Sequence, residues 1–135
     1  LVSQIPALKK KFLHYRDYAG KELAAIFPKE VMDRSIQLNA YTFESSIWMS
    51  QSDGRYHPVP LPAEAQRAPV YAVLIQDFNQ DGHDDLLLGG NQYRAKPEVG
   101  IYDGSYGVYL QGTSTGTFLP VSASKSGVLV KGEIR

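Results

Sequence analysis

Oxygen-bearing side chains occupy the first, third, fifth and ninth positions of Asp77-Phe78-Asn79-Gln80-Asp81-Gly82-His83-Asp84-Asp85, with glycine at the sixth. That is the spacing a loop needs to wrap a hard cation. Ca²⁺ takes six to eight oxygens at about 2.3–2.6 Å, and alternate residues of a tight loop turn their oxygens inward. Gly82 suits the sharp bend because glycine alone takes positive φ without steric cost. The expected ligands are the side chains of Asp77, Asn79, Asp81 and Asp85 and the backbone carbonyl of His83, with Asp84 pointing away. An EF-hand is excluded, because its twelfth position needs a bidentate acid and here that position is Leu88. The competing reading is a solvated Asx/Gly turn that holds no ion. Four carboxylates packed into one short loop repel one another unless something neutralises them, which favours the cation.

Two apolar runs flank the loop, Val70-Tyr71-Ala72-Val73-Leu74-Ile75 before it and Leu86-Leu87-Leu88 after it. Both are short, and they read as buried strands joined by the loop. Further strands are expected at 41–49, 56–61, 107–111, 117–121 and 128–134. Pro58, Pro60 and Pro62 confine the second of these to a sheet edge, since proline has no N–H to give a neighbour. The first part of the chain has a different period. Ile5, Leu8, Phe12, Tyr15, Ala19, Leu23 and Ile26 recur at three- and four-residue intervals, the stripe of one helix of about six turns. Ser3 is its expected N-cap, Gly20 a weak point and Pro28 its stop. A shorter helix is expected over 28–38, and Lys9-Lys10-Lys11 reads as a solvated face. The chain is thus an α+β protein with a helical arm over 1–38 and a β region over 39–135.

Bulk properties bound the partners. Fourteen basic and fourteen acidic residues cancel, which removes the footprint of a nucleic-acid binder. No apolar run in the sequence is long enough to span a membrane, which takes roughly 20 residues. The absence of cysteine excludes disulfides and thiolate metal sites. The first residue is Leu1 rather than methionine, so the chain reads as a piece of a longer protein.

An internal repeat suggests the architecture. Ile47-Trp48-Met49, a polar turn, and Gly54-Arg55-Tyr56-His57-Pro58-Val59 resemble Val108-Tyr109-Leu110, a turn, and Gly116-Thr117-Phe118-Leu119-Pro120-Val121. The step from Ile47 to Val108 is shorter by one than the step from Gly54 to Gly116, which makes the second loop one residue longer. Hairpins recurring at a near-constant interval are a signature of propeller blades. One complete blade is expected from Val70 to Val121, with partial blades on either side. The strand at 128–134 should then pair with a neighbouring molecule or lie exposed.

The segment from Asp77 to Leu86 resembles the calcium loop of FG-GAP and VCBS repeats. Leu61-Pro62-Ala63-Glu64-Ala65-Gln66, Gly89-Gly90-Asn91-Gln92-Tyr93, Tyr102-Asp103-Gly104-Ser105-Tyr106-Gly107 and Lys131-Gly132-Glu133 are similar to VCBS-repeat proteins of Bacteroidetes that carry ASPIC/UnbV segments. This resemblance implies a calcium-stabilised, β-propeller-type scaffold, extracellular or outer-membrane-associated, without direct membrane insertion. Its partners would be a protein or glycan at the cell surface and the remaining blades of the parent chain. Only one calcium loop is present, which departs from the repetition expected of that family.

The connection from Asn91 to Tyr106 is long, and long loops in compact domains are often functional. Tyr93, Glu98, Tyr102, Asp103 and Tyr106 are its candidate ligand-binding residues, as for a sugar or peptide; self-packing as an Ω-loop is the alternative. Trp48 is expected in the core or between blades. His14 and His57 have no ligand or acid/base partner at useful spacing, and Ser45, Ser46 and Ser105 fit no nucleophile elbow. No catalytic constellation emerges. The expected function is a non-catalytic adhesive or binding scaffold, with carbohydrate binding or an accessory role in a larger enzyme as alternatives.

Overall fold

A computed structural model describes residues 4–135. The chain divides into two compact units, Leu1–Tyr41 and Thr42–Arg135. The expected N-cap, Ser3, lies outside the described residues.

The apolar stripe of the first unit does not form one helix. It is split among α1 (Leu8–Lys11), a 3₁₀ turn (Tyr15–Asp17) and α2 (Leu23–Ile26). Two local features break it. The His14 N–H donates to Asp17 Oδ2 at 2.8 Å while His14 itself is extended, so a side chain takes the donor that a helix would use. Gly20 sits at φ +73°, a conformation that ends a helix. The stripe still serves burial: Leu8, Phe12 and Ile26 form a small core with Tyr18 and Phe27 against it. Lys9, Lys10 and Lys11 are exposed, as expected of a solvated face, and Lys11 also donates through Nζ to the Ile26 carbonyl at 2.7 Å, which satisfies an orphan acceptor at the end of α2. The helix expected over 28–38 is the shorter α3 (Lys29–Asp33), and Ile36 and Leu38 beyond it are exposed.

The second unit holds a hairpin, β1 (Ser46–Ser50) with β2 (Tyr56–Pro60), and a four-stranded antiparallel sheet in the order β3 (Val70–Gln76), β4 (Asp85–Gly90), β5 (Val108–Gly112), β6 (Phe118–Val121). Neither sheet closes into a barrel; the architecture is α+β with antiparallel sheets of two and four strands. The strand expected over 41–49 starts only at Ser46, because the Ser45 N–H is already held by Gln66 Oε1 at 2.7 Å, and Tyr41 and Phe43 before it are exposed.

β4 is a central strand, and its Leu86 and Leu88 join Leu110 of β5 and Ala65 in the main core. Ile47, Leu61, Val70, Val108 and Phe118 pack against that cluster, so the β1–β2 hairpin lies on one face of the sheet. Burying a leucine contributes roughly 1.5–3 kcal/mol, so each of these three leucines is a substantial contribution to the unit's core. Trp48, expected in the core or between blades, is 63 % exposed because its neighbour Ile47 takes the inward position.

The strand expected over 128–134 does not form. A helical turn, α4 (Ala123–Ser126), ends at Gly127 with φ +73°. The tail then folds back on its own chain, where the Val130 N–H donates to the Tyr106 carbonyl and the Ile134 N–H to the Gly90 carbonyl, each at 2.8 Å. The repeat also needs correction. Ile47 pairs with Val59 and Ser50 with Tyr56, just as Tyr109 pairs with Val121 and Gly112 with Phe118. The two hairpins therefore match at one constant offset, Ile47 on Tyr109 and Val59 on Val121, with turns of equal length. Alignment by residue character slips by one because Ile47, Trp48 and Met49 resemble Val108, Tyr109 and Leu110, and such a slip turns every side chain to the other face.

Candidate cation loop and its buried carboxylate

The loop from Asp77 to Asp84 connects β3 to β4, and Gln76 and Asp85 pair across its base. It turns twice through positive φ, at Gln80 (+60°) and Gly82 (+88°). Its carboxylates hold its own backbone. Asp77 Oδ1 accepts from the Asp81 N–H at 3.1 Å and Oδ2 from the Gly82 N–H at 2.8 Å. Asn79 Oδ1 accepts from the same Asp81 N–H at 3.0 Å, and Asp81 Oδ1 accepts from the His83 N–H at 3.0 Å. Such nested Asx turns fix a loop without regular structure. Asp81 Oδ2 accepts from Asn79 Nδ2 at 2.8 Å and from Gln111 Nε2 of β5 at 3.0 Å. Gln111 is the main cause that holds the Asp81 carboxyl below the usual carboxylate range.

Asp85 differs from the others, being 0 % exposed. Its Oδ1 accepts from the Gly112 N–H at 2.8 Å, and its Oδ2 accepts from the Tyr109 hydroxyl at 2.6 Å and the Phe78 N–H at 3.1 Å. One carboxylate therefore ties the start of β4 to the beginning of the loop and to two positions of β5. Burial pushes its pKa up, but the hydrogen bonds from Tyr109, Gly112 and Phe78 together outweigh burial and hold it below the ordinary value. The Tyr109 hydroxyl is pushed up to about 12 by burial and by its bond to the Asp85 carboxylate. Gly112 is required for this closure, because a Cβ there would lie 2.1 Å from the Asp84 carbonyl oxygen.

Tyr109, Gln111 and Gly112 were missed as site residues. They arrive from β5, on the far side of the long Asn91–Tyr106 connection, and nothing in their local pattern separates them from ordinary strand positions. Among the described residues, no three His, Asp or Glu side chains converge as metal ligands. The carboxylates face backbone donors, yet each oxygen of Asp77, and Oδ1 of Asn79 and of Asp81, accepts a single such bond. Each of these oxygens keeps a second lone pair. No ion pair of the described residues involves Asp77, Asp81, Asp84 or Asp85.

The Asn91–Tyr106 connection is divided by a bridge between Gln92 and Tyr102. Tyr102 lines a cleft of about 420 Å³ with Pro69, Gln92, Arg94, Lys96 and Val99. Tyr106 lines a separate cleft of about 340 Å³ beside Arg67 and Val128. Tyr93, Glu98 and Asp103 line neither and are exposed. The five candidate residues thus do not gather into one site. The residue that organises this region is Asn91, 2 % exposed at φ +76°. Its Nδ2 donates to the Ser105 carbonyl at 2.7 Å and to the Gly132 carbonyl at 2.8 Å, and its Oδ1 accepts from the Ser105 N–H at 3.1 Å. Among the described residues no helix is long and apolar enough to cross a membrane. No family model matches the chain, and neither a curated protein nor a solved structure matches it.

Proposed function

We propose that the second unit is a non-catalytic, calcium-clipped scaffold of the FG-GAP/VCBS kind, a propeller-type blade serving adhesion or protein interaction in a cell-surface or secreted protein. One observation carries this reading: a loop already fixed by its own Asx turns carries three carboxylates, with that of Asp85 at its base, and no cationic side chain is paired to any of the four among the described residues. A divalent cation relieves that repulsion. Asp77, Asn79 and Asp81 would hold it through side-chain oxygens, with the His83 carbonyl completing the set. Asp85 would contribute charge and, through its singly bonded Oδ1, an oxygen. Binding free energy then adds to folding free energy. At calcium one hundredfold above Kd the gain is about 2.7 kcal/mol. The test is a thermal melt in calcium and in EDTA, with calcium calorimetry alongside. Wild type should melt at lower temperature in EDTA, and Asp81→Ala should show neither calcium heat nor a buffer dependence. Identical wild-type melts and no calcium heat would leave only an empty turn.

A second reading is favoured by the exposure of Tyr93, Tyr102 and Tyr106, which lie open to solvent rather than packed as an Ω-loop core. Tyr102 beside Arg94 and Lys96 makes a shallow wall suited to a sugar. Glycan-array binding that disappears in Tyr102→Ala is the expected result for this reading, and an array silent across broad glycan classes counts against it.

A further inference from the structure

β3 has the composition of a central strand and the position of an edge one. Its run Val70-Tyr71-Ala72-Val73-Leu74-Ile75-Gln76 holds no charge, proline or glycine and is apolar on both faces, as in a strand with a neighbour on each side. In the sheet only β4 flanks it. Among the described residues no hydrogen bond joins the backbone of 71–76 to any group outside β4, so alternate N–H and C=O groups on its outer edge stand without a protein partner. The sheet's other edge strand, β6, carries Pro120, and β2 carries Pro58 and Pro60, residues that discourage an added strand. The C-terminal tail covers the start of β3, where Ile134 lies over Gly89, the partner of Ala72, and the Arg135 guanidinium lies 5.4 Å from the Tyr71 ring centroid. Beyond it the strand is bare. Val73 and Ile75 pair with Leu88 and Leu86 and so share their core face, yet they are 52 % and 61 % exposed. Beside them a cleft of about 220 Å³ opens between Ile47, Leu61, Leu86 and Leu88, so the main core is open along this edge.

We propose that an extended, apolar segment of another polypeptide adds to the outer edge of β3, its aliphatic side chains at alternate positions entering the cleft beside Val73 and Ile75. The bare backbone edge names the class of partner, since its unmet donors and acceptors match those of another strand, and main-chain hydrogen bonds supply affinity in such additions. The cleft names the side chains. Its lining is apolar apart from Ser45 and Ser46, and a cavity of about 150 Å³ already holds a benzene, so there is room for an aliphatic side chain and none for an unpaired charge. Alternate residues of the added strand face the same way, which sends one set into the cleft and the other to the side of Leu74, itself 60 % exposed. The contact rests on the sheet edge and not on the cation loop.

The probe is a soluble peptide of alternating isoleucine and threonine with lysines at both ends, titrated by calorimetry into the whole chain. It should bind at a single site and slow amide exchange in β3 between Ala72 and Gln76. Two alternately N-methylated forms of the peptide decide the mode, because successive residues of a strand turn their N–H groups to opposite edges. The form methylated on the edge that meets β3 should bind at least about tenfold more weakly, while the other should bind like the parent. A peptide with serine in place of isoleucine should not bind, and these probe-side changes leave the protein unaltered. Ile75→Lys, at an exposed position, should keep the wild-type circular dichroism spectrum and lose the peptide. No binding of the parent peptide, equal affinity of the two methylated forms, or uptake of the serine peptide would each overturn the contact. A chain that sediments as a dimer, takes up no peptide and becomes monomeric in Ile75→Lys would assign the edge to a second copy and overturn it as well.

Discussion

Asp85→Ala should destabilise the second unit by about 3–5 kcal/mol, because three donors lose their acceptor and each unsatisfied buried group costs about 1–3 kcal/mol. Those donors are the Phe78 N–H, the Tyr109 hydroxyl and the Gly112 N–H. Asp85→Asn should cost less. Its amide oxygen keeps one acceptor, and the Tyr109 hydroxyl can rotate to accept from the new amide nitrogen, leaving chiefly the Phe78 N–H without a partner. Urea unfolding in EDTA is the appropriate measurement, since the effect needs no ion. In that buffer Asp81→Ala, which removes an exposed carboxylate, should change the midpoint far less than Asp85→Ala. Equal losses from the two would mean that Asp85 has no special place in the fold.

The same lock sets the pH range of stability. Asp85 has its folded pKa held below the ordinary value of 3.8, so its contribution is present above that value and is lost as pH falls through the lower folded one. Tyr109 is raised from 10.0 to about 12. Its contribution is complete below pH 10 and disappears as pH rises from there to about 12. Stability should therefore fall at both extremes, and Tyr109→Phe should flatten the alkaline limb, having no hydroxyl to ionise. An alkaline limb unchanged in Tyr109→Phe would assign that loss to other groups.

What sequence reasoning could reach follows from how local each signal is. The boundaries of β3 and β4 are written in the apolar runs themselves, with Asp77 and Gly90 as punctuation, and they fall where expected, but only β4 is the buried strand that its run suggests: β3 is at the sheet edge, and its Tyr71, Val73, Leu74 and Ile75 are exposed. The loop is equally local, since its Asx turns join residues two to five positions apart. The stripe from Ile5 to Ile26 misled because periodicity reports which residues are buried and not whether the backbone is continuous. Leu8, Phe12 and Ile26 do meet, but across a chain reversal enabled by Gly20. The roles of Tyr109, Gln111 and Gly112 depend on register between strands. That register is set by packing, and a one-residue slip in the hairpin alignment is enough to exchange the Leu110 face of β5–β6, which lies in the main core, for the Tyr109 face.

Asn91→Ala should cost about 2–4 kcal/mol, through two separable effects, backbone strain and lost hydrogen bonds. At φ +76° asparagine is tolerated where alanine is strained by roughly 1–2 kcal/mol. The side chain also makes three hydrogen bonds that join the end of β4 to Ser105 and Gly132, and their loss leaves the Ser105 N–H and two carbonyls short of a partner. Asn91→Gly separates the two, because glycine takes this φ freely and lacks only the bonds. Its cost should be smaller than that of alanine by about the strain. Asn91→Asp keeps the acceptor for Ser105 but turns a carboxylate toward two carbonyl oxygens, so it should be less harmful at acidic pH, where protonation restores one donor. Amide exchange gives the regional readout, with lost protection expected at Ser105 and at Ile134, whose N–H bonds the Gly90 carbonyl next to Asn91. If Asn91→Gly unfolds at the wild-type midpoint with both amides still protected, the tail and the long loop are held by packing alone, and the close fit of Ile134 over Gly89 becomes the feature that places them.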